Sequence, residues 1–272
     1  MEKIDKEDDN VTDESIVKPD FFYKYGKFDE HTEKVFTDNE IYFSSPDEFA
    51  DLSDSKIYCV CEGKAQEIES YLCGLYRKKC PERSEEEILS HVKKLIKEKE
   101  NGSDLQEILK GSGERLRKKI GIYCLTEKRD NILMWVHYAK QHSGFCLEFD
   151  ANNEFFAPHA RAIKVEYEAT LPVLNVLQID TYSKGELGRK LLIKANDWQY
   201  EKEWRIIDHV NGRGIQNFPE NALSGVILGW RISQENKENT FRWCSNRKYP
   251  PTLYEAREKQ KEFGLDIVRI DN

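Results

Sequence analysis

Between residues 64 and 119 the apolar side chains recur at helical spacing, and on both sides of that block they fall in short β-prone runs. Ile68, Leu72 and Leu75 mark one amphipathic helix. Ser84 and Glu87 form a capping box ahead of Ile88, Leu89, Val92, Leu95 and Ile96, and Ser103 with Gln106 opens a further helix. Before the block come Phe21–Tyr25 and Glu40–Ser45, the second stopped by Pro46, with a short helical segment at 30–36 between them, and a strand at 56–61. After it come strands at 121–126, 145–149, 162–167, 201–207, 225–230 and 265–270, with helices at 131–139, near 184–195 and after Ser233. Strands that precede and follow a helical insertion, without strict βα alternation, predict an α+β fold: a mixed, largely antiparallel sheet core with short helices.

At 272 residues the chain is long enough for a substantial core, and it reads as one α+β domain over 19–272 with the helical insertion at about 64–119. Residues 1–18 hold Asp5, Glu7, Asp8, Asp9, Asp13 and Glu14 with little apolar content, the pattern of a disordered acidic tail. The absence of a long apolar run or a basic-then-apolar leader predicts a soluble, cytoplasmic protein with no membrane partner. A formal net charge of −8, with basic residues dispersed among acids, argues against a nucleic-acid partner. Seven cysteines suit reduced thiols, and Cys59 and Cys61 read as packing groups, so no metal site is expected. The lysine-rich outer faces of the helical block are its natural surface for a protein partner.

Chemistry-bearing residues gather in three places. Trp198 to Ile207 is the densest mixture of aromatic and charged residues; as one strand it would align Glu201, Glu203, Arg205 and Ile207 on a single face. Arg205 on that face either pairs with Glu203, keeping the carboxylate ionised, or holds a phosphate. Met134 to His142 carries Trp135, His137 and His142 near one helix end, where the imidazoles suit proton transfer or ligand hydrogen bonds and the aromatics equally suit core packing. Tyr42, Ser44, Ser45, Asp51 and Asp54 stand where a strand enters an exposed polar turn, a usual mounting for functional groups and an ordinary site for turn and cap residues.

Taken together, Phe-Tyr-Lys-Tyr at 22–25, Ile-Tyr-Phe-Ser-Ser-Pro-x-x-Phe-Ala-Asp at 41–51, Leu-Met-Trp-x-His-Tyr-Ala-x-x-His-x-Gly-Phe-Cys-Leu-x-Phe-Asp at 133–150 and Trp-x-Tyr-Glu-x-Glu-Trp-Arg at 198–205 resemble the bacterial domain of unknown function 2971. That pattern reads Phe-Asn-Asp-Pro-Phe-Asp where this chain has Phe49 to Asp54, keeping both aspartates and losing the asparagine and proline. The order of an aromatic strand, Ile-Tyr-Phe-Ser-Ser and a late Glu-x-Glu is also similar to ADP-ribosyltransferases, although Tyr23-Lys24-Tyr25 stands where those enzymes carry His or Arg. This second resemblance implies an NAD-consuming toxin or defence effector, with NAD as a substrate and no tightly bound cofactor. Glu203 would be the catalytic carboxylate, Glu201 its acceptor-orienting partner, and Tyr25, Tyr42 and Ser44 the pocket walls. Hydrogen bonds to the ribose hydroxyl would strengthen as positive charge develops on the sugar. The competing readings are a non-catalytic nucleotide sensor, with a ligand among Trp135, His137, Trp198 and Arg205, and a protein-interaction module.

Overall fold

The computed structural model describes residues 17–51, 53–97, 118–156, 162–178 and 184–270. The acidic segment before residue 17 and the helix expected from Ser103 lie outside the described residues. The fold is α+β, as the sequence predicts. Its main element is an eight-stranded sheet in the order β14-β13-β12-β5-β1-β4-β10-β6. These strands are β1 (Phe21–Gly26), β4 (Gly121–Thr126), β5 (Phe145–Asp150), β6 (Ala162–Lys164), β10 (Glu203–Asp208), β12 (Leu223–Leu228), β13 (Thr252–Glu258) and β14 (Leu265–Arg269). Every pairing in it is antiparallel except β12 with β13.

One face of the sheet is apolar. Phe22, Tyr123, Leu125, Phe145, Leu147, Phe149, Trp204, Ile206, Val226 and Leu228 belong to one buried cluster, closed by Phe36 of α1 (Thr32–Thr37), Ile41 and Phe43 of β2 (Glu40–Phe43), and Cys244 of α6 (Gln234–Ser245). Alternation along each strand puts these residues on one side. The helical block has a separate core. Helices α2 (Ala65–Lys79) and α3 (Glu85–Lys97) bury Ile68, Leu72, Tyr76, Ile88, Val92 and Leu95 against Cys59 and Cys61, on and just beyond β3 (Tyr58–Val60), which pairs in parallel with β8 (Val173–Asn175). The Ser84–Glu87 capping box is formed: each residue's backbone N–H donates to the other's side chain.

Two expected elements are shorter than the sequence suggests. The helix predicted near 184–195 is α5 (Lys184–Lys190), and Ile193–Ala195 is instead strand β9, parallel to β7 (Glu166–Glu168). The strand predicted over 162–167 splits into β6 and β7, which pair with β10 and β9 respectively.

The sheet opens at its centre. β1 pairs with β5 along six residues but with β4 at Tyr23 opposite Thr126 alone. Beyond that point β4 pairs with β10 on one side, and Ile122 exchanges backbone hydrogen bonds with Ser44, just past β2. Five strands on one side and three on the other are thus joined through one register pair, and a wedge is left between β1 and β4. β2 is extended by β11 (Gly214–Asn217).

Candidate functional site

The wedge is a cleft of about 670 Å³ lined from both sides of the split. β1 contributes Lys24, Tyr25 and Gly26, β4 contributes Tyr123, β5 contributes Phe145 and Leu147, and β2 with the residue after it contributes Ile41, Tyr42 and Ser44. Thr32 and Val35 of α1 line it too, as do His137 and Tyr138 at the C-terminal end of α4 (Ile132–Tyr138). Asn131 starts α4 by accepting the Met134 N–H on its side chain, and Gly144 ends the following turn, where a Cβ would lie 2.1 Å from the Gly26 carbonyl oxygen. That contact sets α4 close to the end of β1.

Lys24 is an interruption in the apolar face. It alternates with Phe22, yet it is a lysine, and its Nζ crosses the split to donate to the Cys124 carbonyl at 2.9 Å, 4.9 Å from the Tyr123 ring centroid. The bond satisfies a β4 carbonyl that would otherwise pair with a neighbouring strand. An ammonium has three donors, so among the described residues two remain for a ligand. Tyr25 donates its hydroxyl to the Lys128 carbonyl and packs edge-on against Trp135. Burial pushes the Tyr25 phenol well above its ordinary value, so it stays neutral.

On the opposite sheet face, beneath β4 and β10, lies a cluster of buried charges. Arg205 is fully buried: its Nε donates to Glu203 Oε1 at 2.7 Å, Nη2 to both Asp54 oxygens at 2.8 Å, and Nη1 to Ser55 Oγ and the Leu191 carbonyl. Lys194 on β9 joins the second half, 2.6 Å from Glu201 Oε2, 2.8 Å from Glu203 Oε2 and 3.4 Å from Asp54 Oδ2. Three carboxylates against two cations leave one negative charge over. Burial opposes ionisation of Glu203, but Arg205 and Lys194 outweigh it and hold the carboxyl down at about 2. The carboxylates in turn raise Lys194 and Arg205, against the effect of burial. Of the two roles open to Arg205 in the sequence, the structure has the pairing with Glu203.

Among the described residues the cluster reaches the cleft at one point. Tyr138 lines the cleft, is 40% exposed, and donates its hydroxyl to Glu201 Oε1 at 2.6 Å. Burial, then Glu201, pushes this phenol far above its ordinary value.

The twelve residues singled out from the sequence sort into four sets. Tyr25, Tyr42, Ser44 and His137 line the cleft. Glu201, Glu203 and Arg205 belong to the charge cluster. Trp198 and Asp51 sit at its rim: the indole N–H donates to Asp51 at 2.8 Å, and Lys194 lies 5.1 Å from the indole ring centroid. Trp135, His142 and Ser45 are packing or capping groups. Trp135 is fully buried with its indole N–H on the Arg129 carbonyl, and His142 is buried with its ring parallel to that indole. Ser45 caps the short turn Pro46–Glu48.

The strand expected over 201–207 is corrected at its start, and the single face it would give Glu201, Glu203 and Arg205 with it. Asn196–Glu201 is a 3₁₀ turn, Lys202 takes a left-handed φ of 46°, and β10 begins at Glu203. Glu201 is held off the strand because its carbonyl accepts from Thr126 and the preceding Tyr200 carbonyl accepts from Asn131. Lys194 nevertheless brings the two glutamates together, through space rather than along a strand face.

Lys24, Tyr138 and Lys194 are the site residues that sequence reasoning missed; Asp54, read as an exposed group of the polar turn, is instead buried against Arg205. Lys24 had a signal, as the one charged residue at an alternating core position of β1. Lys194 had none, because its partners lie on other elements.

Residues 134–206 match the model of a protein family of unknown function, DUF2971. The matched stretch runs from within α4 to within β10, so it takes in Tyr138, Lys194, Glu201, Glu203 and Arg205 and leaves out β1 and β2. No curated protein and no solved structure matches the chain. Among the described residues, no helix is long and apolar enough to cross a membrane.

Proposed function

We infer that the cleft between β1 and β4 binds a nucleotide of the NAD type. The observation that carries this reading is the composition of one opening in the sheet. A cleft of about 670 Å³ sits in the size range of small-molecule sites. Its apolar walls, Val35, Ile41, Phe145 and Leu147, are interleaved with Tyr25, Tyr42, Tyr123 and Tyr138. Such walls suit a planar base, since aromatic rings stack on base faces whatever the base. Lys24 supplies a cation inside the cleft for a phosphate, and Ser44 and His137 supply polar groups at its wall.

Binding is better supported than cleavage of NAD with Glu203 as the catalytic carboxylate. Both Glu203 oxygens already accept from Arg205 or Lys194, the residue is 3% exposed, and it does not line the cleft. A carboxylate that stabilises a sugar cation has to touch the sugar. One observation favours turnover as a second reading: Arg205 and Lys194 hold the Glu203 carboxyl well below the usual carboxylate range and so keep a charged carboxylate next to Glu201, which connects to the cleft through Tyr138.

Calorimetric titration with NAD and with ADP, run beside an assay for released nicotinamide, tests both readings. Saturable binding without nicotinamide release is the expected result. Release by the wild-type chain that disappears in Glu203→Gln establishes the enzyme instead. No binding of either nucleotide at millimolar concentration rejects the nucleotide reading.

A further inference from the structure

Tyr138 has one proton to give, and it gives it inward. The hydroxyl donates to Glu201 Oε1 at 2.6 Å, while Glu201 Oε2 receives the Lys194 ammonium, also at 2.6 Å. The carboxylate is thereby fixed from both sides, and the phenol is oriented with its hydrogen toward the charge cluster. A hydroxyl oxygen keeps its lone pairs after donating, so what Tyr138 has left for the cleft is acceptor capacity alone. Lys24, lining the same cleft, is the reverse: an ammonium has donors and no acceptor. Lys27, Asp29, Glu40 and Tyr42 line the cleft as well, and what sets Lys24 and Tyr138 apart is that a β4 carbonyl and a buried carboxylate fix them, one as a donor and the other as an acceptor.

We propose that Tyr138 is the specificity-determining acceptor of the cleft, taking a hydrogen bond from a ribose hydroxyl of a ribonucleotide whose phosphate is held by Lys24. This rests on the nucleotide reading above and adds the sugar to it. The charge cluster then has a task in recognition. Lys194 holds Glu201, Glu201 holds the Tyr138 proton, and the phenol cannot rotate to offer a donor without leaving a buried carboxylate oxygen unpaired. A ligand presenting an ether or carbonyl oxygen at that point meets lone pairs facing lone pairs. A ligand lacking the hydroxyl forgoes that hydrogen bond. Sites built to pair a substrate hydroxyl discriminate strongly against analogues without one.

The test is calorimetric titration of the full chain with ADP and with 2′,3′-dideoxyADP. The wild-type protein is expected to bind ADP about tenfold or more tightly than the dideoxy analogue, a ratio that corresponds to one lost hydrogen bond. In Tyr138→Phe, with folding checked by circular dichroism, the two probes are expected to bind within about twofold of each other. Because the variant leaves Glu201 Oε1 without its donor, the wild-type comparison is chosen to stand without it. Equal affinity of wild-type protein for the two probes overturns the role of Tyr138 and leaves the nucleotide reading intact. A preference for ADP that persists in Tyr138→Phe also overturns it, since the hydroxyl is then read elsewhere. If neither ADP nor NAD binds, the nucleotide reading fails and this inference falls with it.

Discussion

Trp204 and Ile206 face an apolar cluster shared with Phe22, Leu125 and Phe149, whereas Glu203 and Arg205, their neighbours on the same strand, face buried carboxylates and Lys194. The two sides of β10 are equally buried and are held by different physics. On the apolar side stability comes from area removed from water and from packing, which tolerate a change of shape at modest cost. On the charged side desolvation is repaid only while every partner is present, so the loss of one group strands the others. The difference matters for function because the apolar cluster shares Tyr123, Phe145 and Leu147 with the wall of the cleft, while among the described residues the charged side meets the cleft through Tyr138.

The contrast breaks most visibly at Arg205. Arg205→Ala leaves Asp54 and Glu203 buried without their guanidinium, and we expect a loss of about 3–5 kcal/mol in urea unfolding. Trp204→Ala removes a comparable amount of stability, roughly 3–5 kcal/mol, by opening a cavity. Equal magnitudes then separate by pH. Glu203 is held at about 2 in the folded state, below the ordinary 4.5, so the unfolded chain binds more protons between those values. The stabilisation from Glu203 is complete above about pH 4.5 and is lost as pH falls toward about 2. Acid titration of unfolding free energy is expected to keep this slope in Trp204→Ala and to flatten it in Glu203→Gln. The same slope in all three proteins would mean that the charge cluster does not govern acid stability. At the small end, Ile206→Val is expected to cost only about 0.5–1.5 kcal/mol, and a larger loss would show that the apolar side is as unforgiving as the charged one.

That split also explains what could be read from the sequence. Gly121–Thr126 and Phe145 onward were legible as strands, and Asn131 as a cap, because each is written in a few adjacent residues. The apolar face followed from alternation. The charge cluster did not, because Asp54 and Arg205 stand 151 residues apart and Lys194 reaches Glu201 and Glu203 from a three-residue strand. Thr252–Glu258 was missed as a strand: it is paired on both sides and carries Glu255, Arg257 and Glu258, which hide its period. The cleft was half legible. Tyr25, Tyr42, Ser44 and His137 were named, but the single register pair between β1 and β4 that creates the opening is a property of pairing and has no local signature.

The central claim is that this opening is where the chain binds its ligand, with Lys24 as the cation that holds a phosphate there. The direct measurement is calorimetric titration of NAD into wild-type protein and into Lys24→Met. The account predicts saturable binding to the wild-type chain and about tenfold or greater weakening in Lys24→Met, from loss of a charge-assisted hydrogen bond. Unchanged affinity in Lys24→Met, or no binding to the wild-type chain, would contradict it.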